Sequence, residues 1–484
     1  MARQVILQPA YTFDNFCLLP GYTRAECVPP NISLETNLTS RLSLKTPFLS
    51  AAMMSVTGYE MVVALGKEGG IGIIPSGYSP EEQADIARRA KATEMNFVSE
   101  PLSARPEATI ESVLNLIEQH GHSRIPIVDR DNVFLGMFVH ADYLQQRPVG
   151  PEQTVQQAMH TLDSGKVSYS RNPQISIDEV KTALSANGTS YLVVLDDQRR
   201  LRKMAFRKDV EELKVGAAIS THPGWENRVK ALSDVGTNLI VIDSSDVHKE
   251  FLEQVLGQYR AAGYPTPISA GNVVTYGAAL CLMRAGADIL KVGMSPGSIC
   301  ITDRQKGTAR GPVTALMEVI RARDEFYSQT GRYVPVISDG GMPTSREIIL
   351  ALTLADAIMN GHYFNRFLEA AGEKLDADMK VTREEHAIEW VATWGEGSER
   401  ARNLLRYEHT EQTFFPEGVE GKVPYAGRMK PNLKRDMTKI RSAMSTAGAI
   451  DLDQFRQVAI LELQSDAARG ILKNPHDVQL LKSR

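Results

Sequence analysis

The feature that most constrains the fold is a series of eight short apolar runs, each followed by small or polar residues. Their continuous apolar content is typical of strands that are buried on both faces of a parallel sheet. Helix-like segments, such as 248–263 and 345–355, separate most of the runs. Eight strands alternating with helices predict an α/β fold, a closed (β/α)8 TIM barrel, and an open doubly wound sheet is the alternative. The runs are 47–53, 70–75, 215–220, 238–243, 267–272, 289–294, 335–340 and 357–362.

One connection breaks the regular spacing of the runs. About 140 residues separate the second run from the third, which is too many for one crossover. Within this connection, residues 125–143 resemble residues 191–210, and matching positions lie 67 residues apart. A repeated β-β-α-like unit predicts a tandem module inserted into the barrel. The matching pairs are Asp129 with Asp196, Met137 with Met204, and Asp142 with Asp209, and the last pair are candidate ribose ligands.

The spacing therefore predicts three segments. Residues 1–95 form the first part of the barrel, 96–212 form the inserted tandem module, and 213–484 form the remainder of the barrel. Residues 363–484 are far more than one closing helix requires. We expect a long mobile loop among them, on the side of the barrel where the βα loops gather.

Composition narrows the class of protein. The 484 residues include 43% hydrophobic and 23% charged residues, which is the ordinary globular range. A formal net charge of −4 without a basic segment argues against a nucleic-acid partner. Four cysteines are too few for a disulfide framework, and no apolar run is long enough to span a membrane or to form a signal peptide. The sequence predicts a soluble cytoplasmic protein.

Polar and glycine residues at the strand ends are the candidate site, because the carboxyl ends of barrel strands form the active site. Glycine-rich turns can hold phosphate through backbone N–H groups, or can merely form tight turns. Asp243 and Asp339 can accept hydrogen bonds from a ribose diol, or can cap helices. The other candidates are Ser244 and Ser245 after the fourth run, Asn272 in the fifth, Ser298 after the sixth, Gly340 and Gly341 after the seventh, and Gly361 and His362 after the eighth.

Cys300 is the candidate nucleophile. It ends the Gly- and Ser-rich loop GMSPGSIC that follows the sixth run. A thiol at a barrel mouth becomes reactive when its environment favours the thiolate, whereas most free cysteines are buried and inert. We expect the inert state for Cys17, Cys27 and Cys281. The sequence has no Cys or His cluster with the spacing of zinc ligands.

Four longer motifs, taken together, resemble the IMP dehydrogenase and GMP reductase family. They are GSICIT (297–302), SDGG (338–341), WGEGSERARN (394–403) and EGVEGKVPYAGRMK (417–430), and the resemblance extends to SAAMMSVTG (50–58) and EGGIGIIP (68–75). The resemblance covers nearly the whole chain. It identifies the inserted segment as a pair of cystathionine-β-synthase (CBS) modules.

The resemblance implies an oxidation of inosine monophosphate (IMP) to xanthosine monophosphate, a step of de novo guanine nucleotide synthesis. Cys300 would attack C2 of the hypoxanthine, a hydride would pass to NAD, and water would cleave the covalent adduct. Residues 293–312 would be the active-site loop, and residues about 385–430 the mobile flap. Arg406 and Tyr407 would enter with the flap and activate water, and Thr302 with Glu417 would provide a second proton route.

The resemblance also implies the binding residues. IMP would contact Ser298, Asp339, Gly340, Gly341, Gly361, His362, Tyr363, Glu396 and Gly397, while Glu417 would also touch the purine edge. NAD would contact Asp243, Ser244, Ser245 and Asn272. Carbonyl groups of Gly293, Ser295 and Cys300 would bind a potassium ion. Two departures from the family pattern are the Ser295-Pro296 pair in a loop that is usually richer in glycine, and His362 where the family has Ser, Gly or Arg.

The same resemblance implies a homotetramer or octamer, with adenine or guanine nucleotides as regulators at the CBS modules. Two alternatives remain open at this point. GMP reductase shares the cysteine and the phosphate turns but uses NADPH and does not need an Arg-Tyr flap, so the pair Arg406-Tyr407 argues against it. A nucleotide-sensing scaffold without catalysis is the second alternative, and the altered Cys300 loop is its motivation.

Overall fold

The computed structural model describes residues 5–93, 97–120, 123–146, 149–207, 212–221, 223–244, 248–294, 297, 299–401 and 415–473. The chain divides into two compact units. The first unit contains residues Met1–Ala92 and Leu213–Arg484, and the second contains Thr93–Glu212, where the sequence predicted an insertion over 96–212. No helix among the described residues is both long enough and apolar enough to cross a membrane.

The strands are numbered in chain order. They are β1 (Phe16–Leu18), β2 (Thr36–Thr39), β3 (Leu42–Leu44), β4 (Phe48–Ser50), β5 (Ile71–Ile74), β6 (Arg124–Val128), β7 (Phe134–Val139), β8 (Tyr169–Ser170), β9 (Tyr191–Leu195), β10 (Leu201–Phe206), β11 (Val215–Ile219), β12 (Leu239–Asp243), β13 (Ile268–Val273), β14 (Ile289–Val292), β15 (Val336–Asp339), β16 (Ala357–Asn360), β17 (Lys374–Leu375), β18 (Trp390–Trp394), β19 (Glu420–Pro424) and β20 (Leu461–Leu463).

The helices are numbered in the same way. They are α1 (Tyr59–Lys67), α2 (Pro80–Lys91), α3 (Ile110–His120), α4 (His140–Gln146), α5 (Ile177–Ala186), α6 (Trp225–Asp234), α7 (Glu250–Ala261), α8 (Tyr276–Arg284), α9 (Thr302–Lys306), α10 (Pro312–Thr330), α11 (Ser345–Leu352), α12 (Glu399–Ala401), α13 (Met429–Ala447), α14 (Leu452–Val458) and α15 (Asp466–Lys473).

The first unit is built on a closed parallel barrel with the strand order β11-β12-β13-β14-β15-β16-β4-β5. Each of the eight predicted runs contributes one of these strands, so the predicted barrel is confirmed and the open sheet is excluded. The register is continuous across the insertion, since Val215 of β11 lies opposite Gly72 of β5. Continuous apolar runs form these strands because the barrel interior covers one face and the surrounding helices cover the other.

The two ends of the barrel differ in what fills them. The hairpin of β2 and β3 contributes Leu38, Leu42 and Leu44 to an apolar cluster with residues of the barrel interior. Thr36 donates a hydrogen bond to the carbonyl of Asp356, and Arg41 donates one to the carbonyl of Pro265, residues that precede β16 and β13. The hairpin therefore closes the amino-terminal end, and the carboxyl-terminal end is left for polar side chains.

The second unit contains the sequence repeat as two matching hairpins. Strands β6 and β7 pair antiparallel, and β9 and β10 pair antiparallel. In the first turn, Asp129 Oδ1 accepts hydrogen bonds from two backbone N–H groups, and in the second turn Asp196 Oδ1 does the same. Asn132 and Arg199, again 67 positions apart, both adopt left-handed backbone angles, with φ of 64° and 62°. The repeated sequence thus encodes a repeated turn.

The segment predicted as the flap, 385–430, is described except for residues 402–414. Its two described ends form regular structure, because β18 pairs antiparallel with both β17 and β19. Trp390 lies opposite Pro424 and Trp394 lies opposite Glu420 in this small sheet. The sheet fixes where the segment leaves the barrel and where it returns.

Candidate active site

A cavity of about 500 Å3 opens among the residues that follow the barrel strands of the first unit. This volume is in the range of small-ligand sites. The predicted site residues that line it are Asp243, Ser244, Asn272, Gly293, Cys300, Thr302, Asp339, Gly340, Gly341, Gly361, His362, Glu396, Gly397 and Glu417. The structure thus brings together residues from five strand ends, from the loop after β14 and from the segments that flank residues 402–414.

A buried lysine connects three of the strand-end residues. Lys291 of β14 is only 2% exposed, and its Nζ lies 3.0 Å from Asp243 Oδ1 and 3.1 Å from Asp339 Oδ2. The ammonium also donates to the amide oxygen of Asn272, whose Nδ2 donates to Asp339 Oδ2 at 2.9 Å. Burial alone would lower the pKa of Lys291, but the two carboxylates raise it above its ordinary value. The side chain therefore remains charged and offsets part of the negative charge of the two carboxylates.

Lys291 was missed by the sequence analysis, although a signal was present. It is a charged residue inside the apolar run 289–294, and a charge at a strand position buried on both faces requires an opposite charge nearby. Asp243 and Asp339 are those partners. Both carboxylates keep partial exposure, so they can still accept hydrogen bonds from a ligand in the cavity.

The glycine after β14 is required by close backbone approach, and the two glycines after β15 by their backbone angles. A Cβ added at Gly293 would lie 2.2 Å from the carbonyl oxygen of Asp339, and Gly293 has a φ of 156°. Gly340 and Gly341 have φ of 79° and 75°, a left-handed conformation that other residues rarely adopt. The N–H of Gly340 donates to the carbonyl of Met359 at 3.1 Å, and both glycines line the cavity, where the absence of side chains lets a ligand approach the backbone.

The residues after β16 divide between the cavity and the core. His362 lines the cavity, and burial together with the nearby Arg366 lowers its pKa below the ordinary value. Tyr363 is fully buried instead, and its hydroxyl donates to Asp436 Oδ2 at 2.8 Å. Its backbone N–H donates to Asn360 Oδ1 at 2.8 Å. The structure therefore brings His362 to the site and uses Tyr363 to pack the core beside it.

The thiol of Cys300 begins a short line of polar atoms. Cys300 Sγ lies 3.2 Å from Thr302 Oγ1, and that hydroxyl donates to Glu417 Oε2 at 3.1 Å. Thr302 is buried, while Cys300 is half-buried and lines the cavity. A hydroxyl between a thiol and a carboxylate can pass a proton in either direction, because it is both a donor and an acceptor.

Backbone pairing holds the two halves of this line together. The N–H of Ile301 donates to the carbonyl of Glu417 at 2.9 Å, and the N–H of Val419 donates to the carbonyl of Ile299 at 3.0 Å. Glu417 in turn donates its N–H to the carbonyl of Gly397 at 3.0 Å. The first two bonds join segments more than 100 residues apart, so the sequence pattern alone did not predict them.

Two further acidic contacts complete this side of the cavity. Glu396 Oε1 accepts a hydrogen bond from the N–H of Met54 at 2.6 Å, which fixes the carboxylate at the cavity edge. Lys306 Nζ lies 2.6 Å from Glu417 Oε1. Lys306 was not among the residues that the sequence analysis singled out. Its spacing of four from Thr302 was an available signal.

Several predicted residues lie outside the described part of the chain. Ser245 of the proposed cofactor site, Ser295 of the proposed potassium site, Ser298 of the phosphate site, and Arg406 and Tyr407 of the flap are all in this group. Their roles stay predictions from the sequence.

Comparisons with known proteins agree with this geometry. The chain matches the sequence profile described as "IMP dehydrogenase / GMP reductase domain" over residues 10–473. An inosine-5'-monophosphate dehydrogenase from Tritrichomonas foetus is 33% identical and covers 99% of this chain and 97% of its own length. The enzyme of that name from Escherichia coli K12 is 32% identical, with 99% and 98% covered.

A solved structure resembles the fold over the full length. A cysteine-to-alanine variant of GMP reductase from Trypanosoma brucei, in complex with guanosine 5'-monophosphate, aligns with a TM-score of 0.67 and 25% identity. The alignment covers 98% of this chain and 99% of that chain. Fold and cavity define a (β/α)8-barrel protein with a thiol-bearing small-ligand site. The chain belongs to the IMP dehydrogenase / GMP reductase family, as the profile match and the relatives show.

Proposed function

We propose that the chain is an NAD-dependent IMP dehydrogenase, which oxidises IMP to xanthosine monophosphate through a covalent adduct on Cys300. The observation that carries the proposal is the line from Cys300 through Thr302 to Glu417 at the cavity. The names of the full-length relatives, at 33% and 32% identity, support the same reaction. The curated relatives also support use of NAD, which accepts a hydride when bound.

The thiol would work by splitting the oxidation into two easier steps. The thiolate of Cys300 adds to C2 of the purine, which becomes tetrahedral and releases its hydride. Water then adds to C2, the carbon–sulfur bond breaks, and its electron pair returns to sulfur. The product is xanthosine monophosphate, and the thiolate is free for another cycle.

The strand-end residues would bind IMP. Asp339 is suited to the ribose diol, because an ionised carboxylate accepts from both hydroxyl groups. The turns at Gly340, Gly341 and Gly361, with His362, are suited to the phosphate, because these glycines and the imidazole line one cavity and glycines let an anion approach the backbone. Ser298 would assist this group, and Glu396 and Gly397 would contact the purine edge.

The cofactor would be held on the other side of Lys291. Asp243, Ser244 and Asn272 line the cavity, and the partly exposed Asp243 suits a second ribose diol. These donors and acceptors fit the nicotinamide ribose of NAD, and Ser245 would extend the contact. The cavity walls would then align the hypoxanthine ring with the nicotinamide ring and exclude water during hydride transfer.

Water activation would need a group that becomes available after the reduced cofactor leaves. Arg406 and Tyr407 are the proposed pair, carried by the flap within 385–430. Thr302 and Glu417 form the proposed second proton route, supported by the 3.1 Å hydrogen bond between them.

A potassium ion is proposed at the loop that carries Cys300. Its ligands would be carbonyl oxygens of Gly293, Ser295 and Cys300, and carbonyl groups are the donors that suit this ion. Gly293 and Cys300 both line the cavity. Replacing potassium with sodium in the assay is expected to lower turnover, and equal rates in both salts would remove this part of the proposal.

The inserted unit is proposed to be a pair of CBS modules that bind adenine or guanine nucleotides in a homotetramer or octamer. Asp142 of the first copy contacts His160, whose Nε2 lies 2.8 Å from Asp142 Oδ2. Asp209 of the second copy lies outside the described residues. Asp142→Asn is expected to weaken nucleotide binding and to leave basal turnover unchanged. Identical binding curves for variant and wild type would count against Asp142 as a ligand.

GMP reductase is the second candidate function, because a GMP reductase resembles the fold over 98% of the chain. The decisive experiment supplies the two substrate pairs separately. We expect NADH and xanthosine monophosphate from IMP with NAD, and no consumption of NADPH with GMP. Ammonia release from GMP with NADPH would overturn the proposal, and inactivity with both pairs would favour the nucleotide-sensing scaffold.

A further inference from the structure

Lys306 and Thr302 each contact a different carboxylate oxygen of Glu417. The ammonium lies 2.6 Å from Oε1, and the hydroxyl of Thr302 donates to Oε2 at 3.1 Å. The carboxylate is therefore held at both ends. The side chain of Glu417 is 15% exposed, whereas that of Lys306 is 40% exposed, so the lysine approaches from the solvent side.

The fold fixes both partners of this contact. Thr302 begins helix α9 and Lys306 ends it, so the two residues are four positions apart and share one helix face. Gly307 follows with a φ of 66° and ends the helix directly after Lys306. The backbone of Glu417 is held separately by hydrogen bonds with Ile301 and Gly397. Only the side-chain torsions of Glu417 remain for Lys306 to restrict.

We propose that Lys306 is a positioning residue that keeps Glu417 Oε2 directed at Thr302. The proposal rests on the proposed dehydrogenase function, in which Thr302 and Glu417 form a proton route for hydrolysis of the Cys300 adduct. Without Lys306, rotation about the terminal bonds of Glu417 turns Oε2 away from the hydroxyl. The contact therefore affects the geometry of proton transfer, which uses Oε2.

The proton balance of the step defines what Lys306 supports. Water passes one proton to Thr302 Oγ1, and Thr302 passes its own proton to Glu417 Oε2. The water oxygen bonds to C2, the carbon–sulfur bond breaks, and sulfur leaves as the thiolate. The second proton of water moves to the purine ring nitrogen. Hydride transfer precedes these events and does not use Glu417.

The test removes the competing route first. In an Arg406→Ala background, hydrolysis depends on Thr302 and Glu417, and Lys306→Met is then compared with Lys306→Arg. We expect Lys306→Met to lower the steady-state rate of NADH formation about fivefold, the size of a partly exposed ion pair. The initial burst of NADH is expected to keep its rate and amplitude, and Lys306→Arg is expected to recover most of the loss.

Arg304→Gln is the matched control, since it removes one positive charge from an exposed position in the same helix. Equal steady-state rates in Lys306→Met and Arg304→Gln would overturn the proposal. An equal loss of burst and steady state in Lys306→Met would also overturn it, because it would indicate a general disturbance of the loop. If the Arg406→Ala parent gives no burst with IMP and NAD, the proposed function itself fails.

Discussion

The cavity has two walls that are built in different ways. The strand-end wall, defined as Asp243, Asn272, Lys291 and Asp339, consists of side chains on hydrogen-bonded barrel strands. The loop wall, defined as Cys300, Thr302, Glu396 and Glu417, is held by a few bonds between separate loops. The strand-end wall is fixed by the register of the barrel, which suits binding. The loop wall depends on hydrogen bonds between segments that are distant in the chain, and it carries the groups proposed for the chemistry.

The largest effect is expected from removing the thiol of the loop wall. Cys300→Ala should reduce NADH formation by ~10^4-fold or more, because no other group on the cavity wall is proposed to form the adduct. Affinity for IMP should change little, because the strand-end wall is intact. Steady-state assays and calorimetric titration with IMP measure the two quantities.

Cys281→Ala is the control for that variant. Burial and the neighbouring Glu253 raise the pKa of Cys281 to about 11, so its thiol is protonated under assay conditions. Full activity of Cys281→Ala with no activity of Cys300→Ala would support the assignment of the chemistry to the loop wall. Turnover by Cys300→Ala would contradict that assignment.

The next largest effect is expected from the flap. Arg406→Ala should lower the steady-state rate by ~10^3-fold, which lies within the range of rate losses expected when a general base is removed. Rapid-mixing measurements should still record a burst of NADH, because hydride transfer precedes hydrolysis. A burst that falls as much as the steady state would argue against a role of Arg406 in water activation.

A smaller effect, on the binding of both substrates, is expected when the strand-end wall is changed. Lys291→Met leaves two carboxylates without their shared cation, and breaking a buried ion pair costs about 3 kcal/mol or more. We expect kcat/KM to fall roughly 100-fold, mainly through higher KM values for both IMP and NAD. An additional Asp243→Asn substitution should restore part of the loss for IMP. A change confined to one substrate would contradict the role of Lys291 as a link between the two ribose sites.

The smallest effect concerns the phosphate turn. The lowered pKa of His362 leaves its imidazole uncharged at pH 8, and the charge appears only as the pH falls below that lowered value. His362→Arg carries a permanent charge, so its KM for IMP should be several-fold lower than that of the wild type at pH 8, since a charge-assisted hydrogen bond is stronger than a neutral one. The ratio of the wild-type KM to the variant KM should approach one as the pH falls. A ratio that is constant with pH would exclude charge on His362 as a factor.

The two walls also differ in how far the sequence predicted them. The barrel and the residues Asp243, Asn272 and Asp339 followed from apolar runs and strand-end positions, since in a barrel these positions meet at one end. Lys291 was missed because its partners lie 48 residues away on either side. The pattern of one strand does not reveal which neighbours it has in the barrel.

The loop wall could be predicted only by resemblance. The bond from Ile301 to Glu417 joins loops with no periodicity that would pair them. Tyr363 illustrates the opposite error, because its place in the motif suggested a ligand contact while its hydroxyl is bound to Asp436 in the core. In the inserted unit, by contrast, the offset of 67 residues predicted a repeated hairpin, because the same turn residues impose the same backbone geometry.

The most direct test of the loop wall as the chemical wall is a mass measurement on enzyme quenched with acid during turnover of IMP and NAD. We expect a nucleotide adduct on the peptide that contains Cys300, with more adduct in Arg406→Ala, where hydrolysis is slow. An adduct on another cysteine, or NADH formation without any adduct on the protein, would exclude Cys300 as the nucleophile.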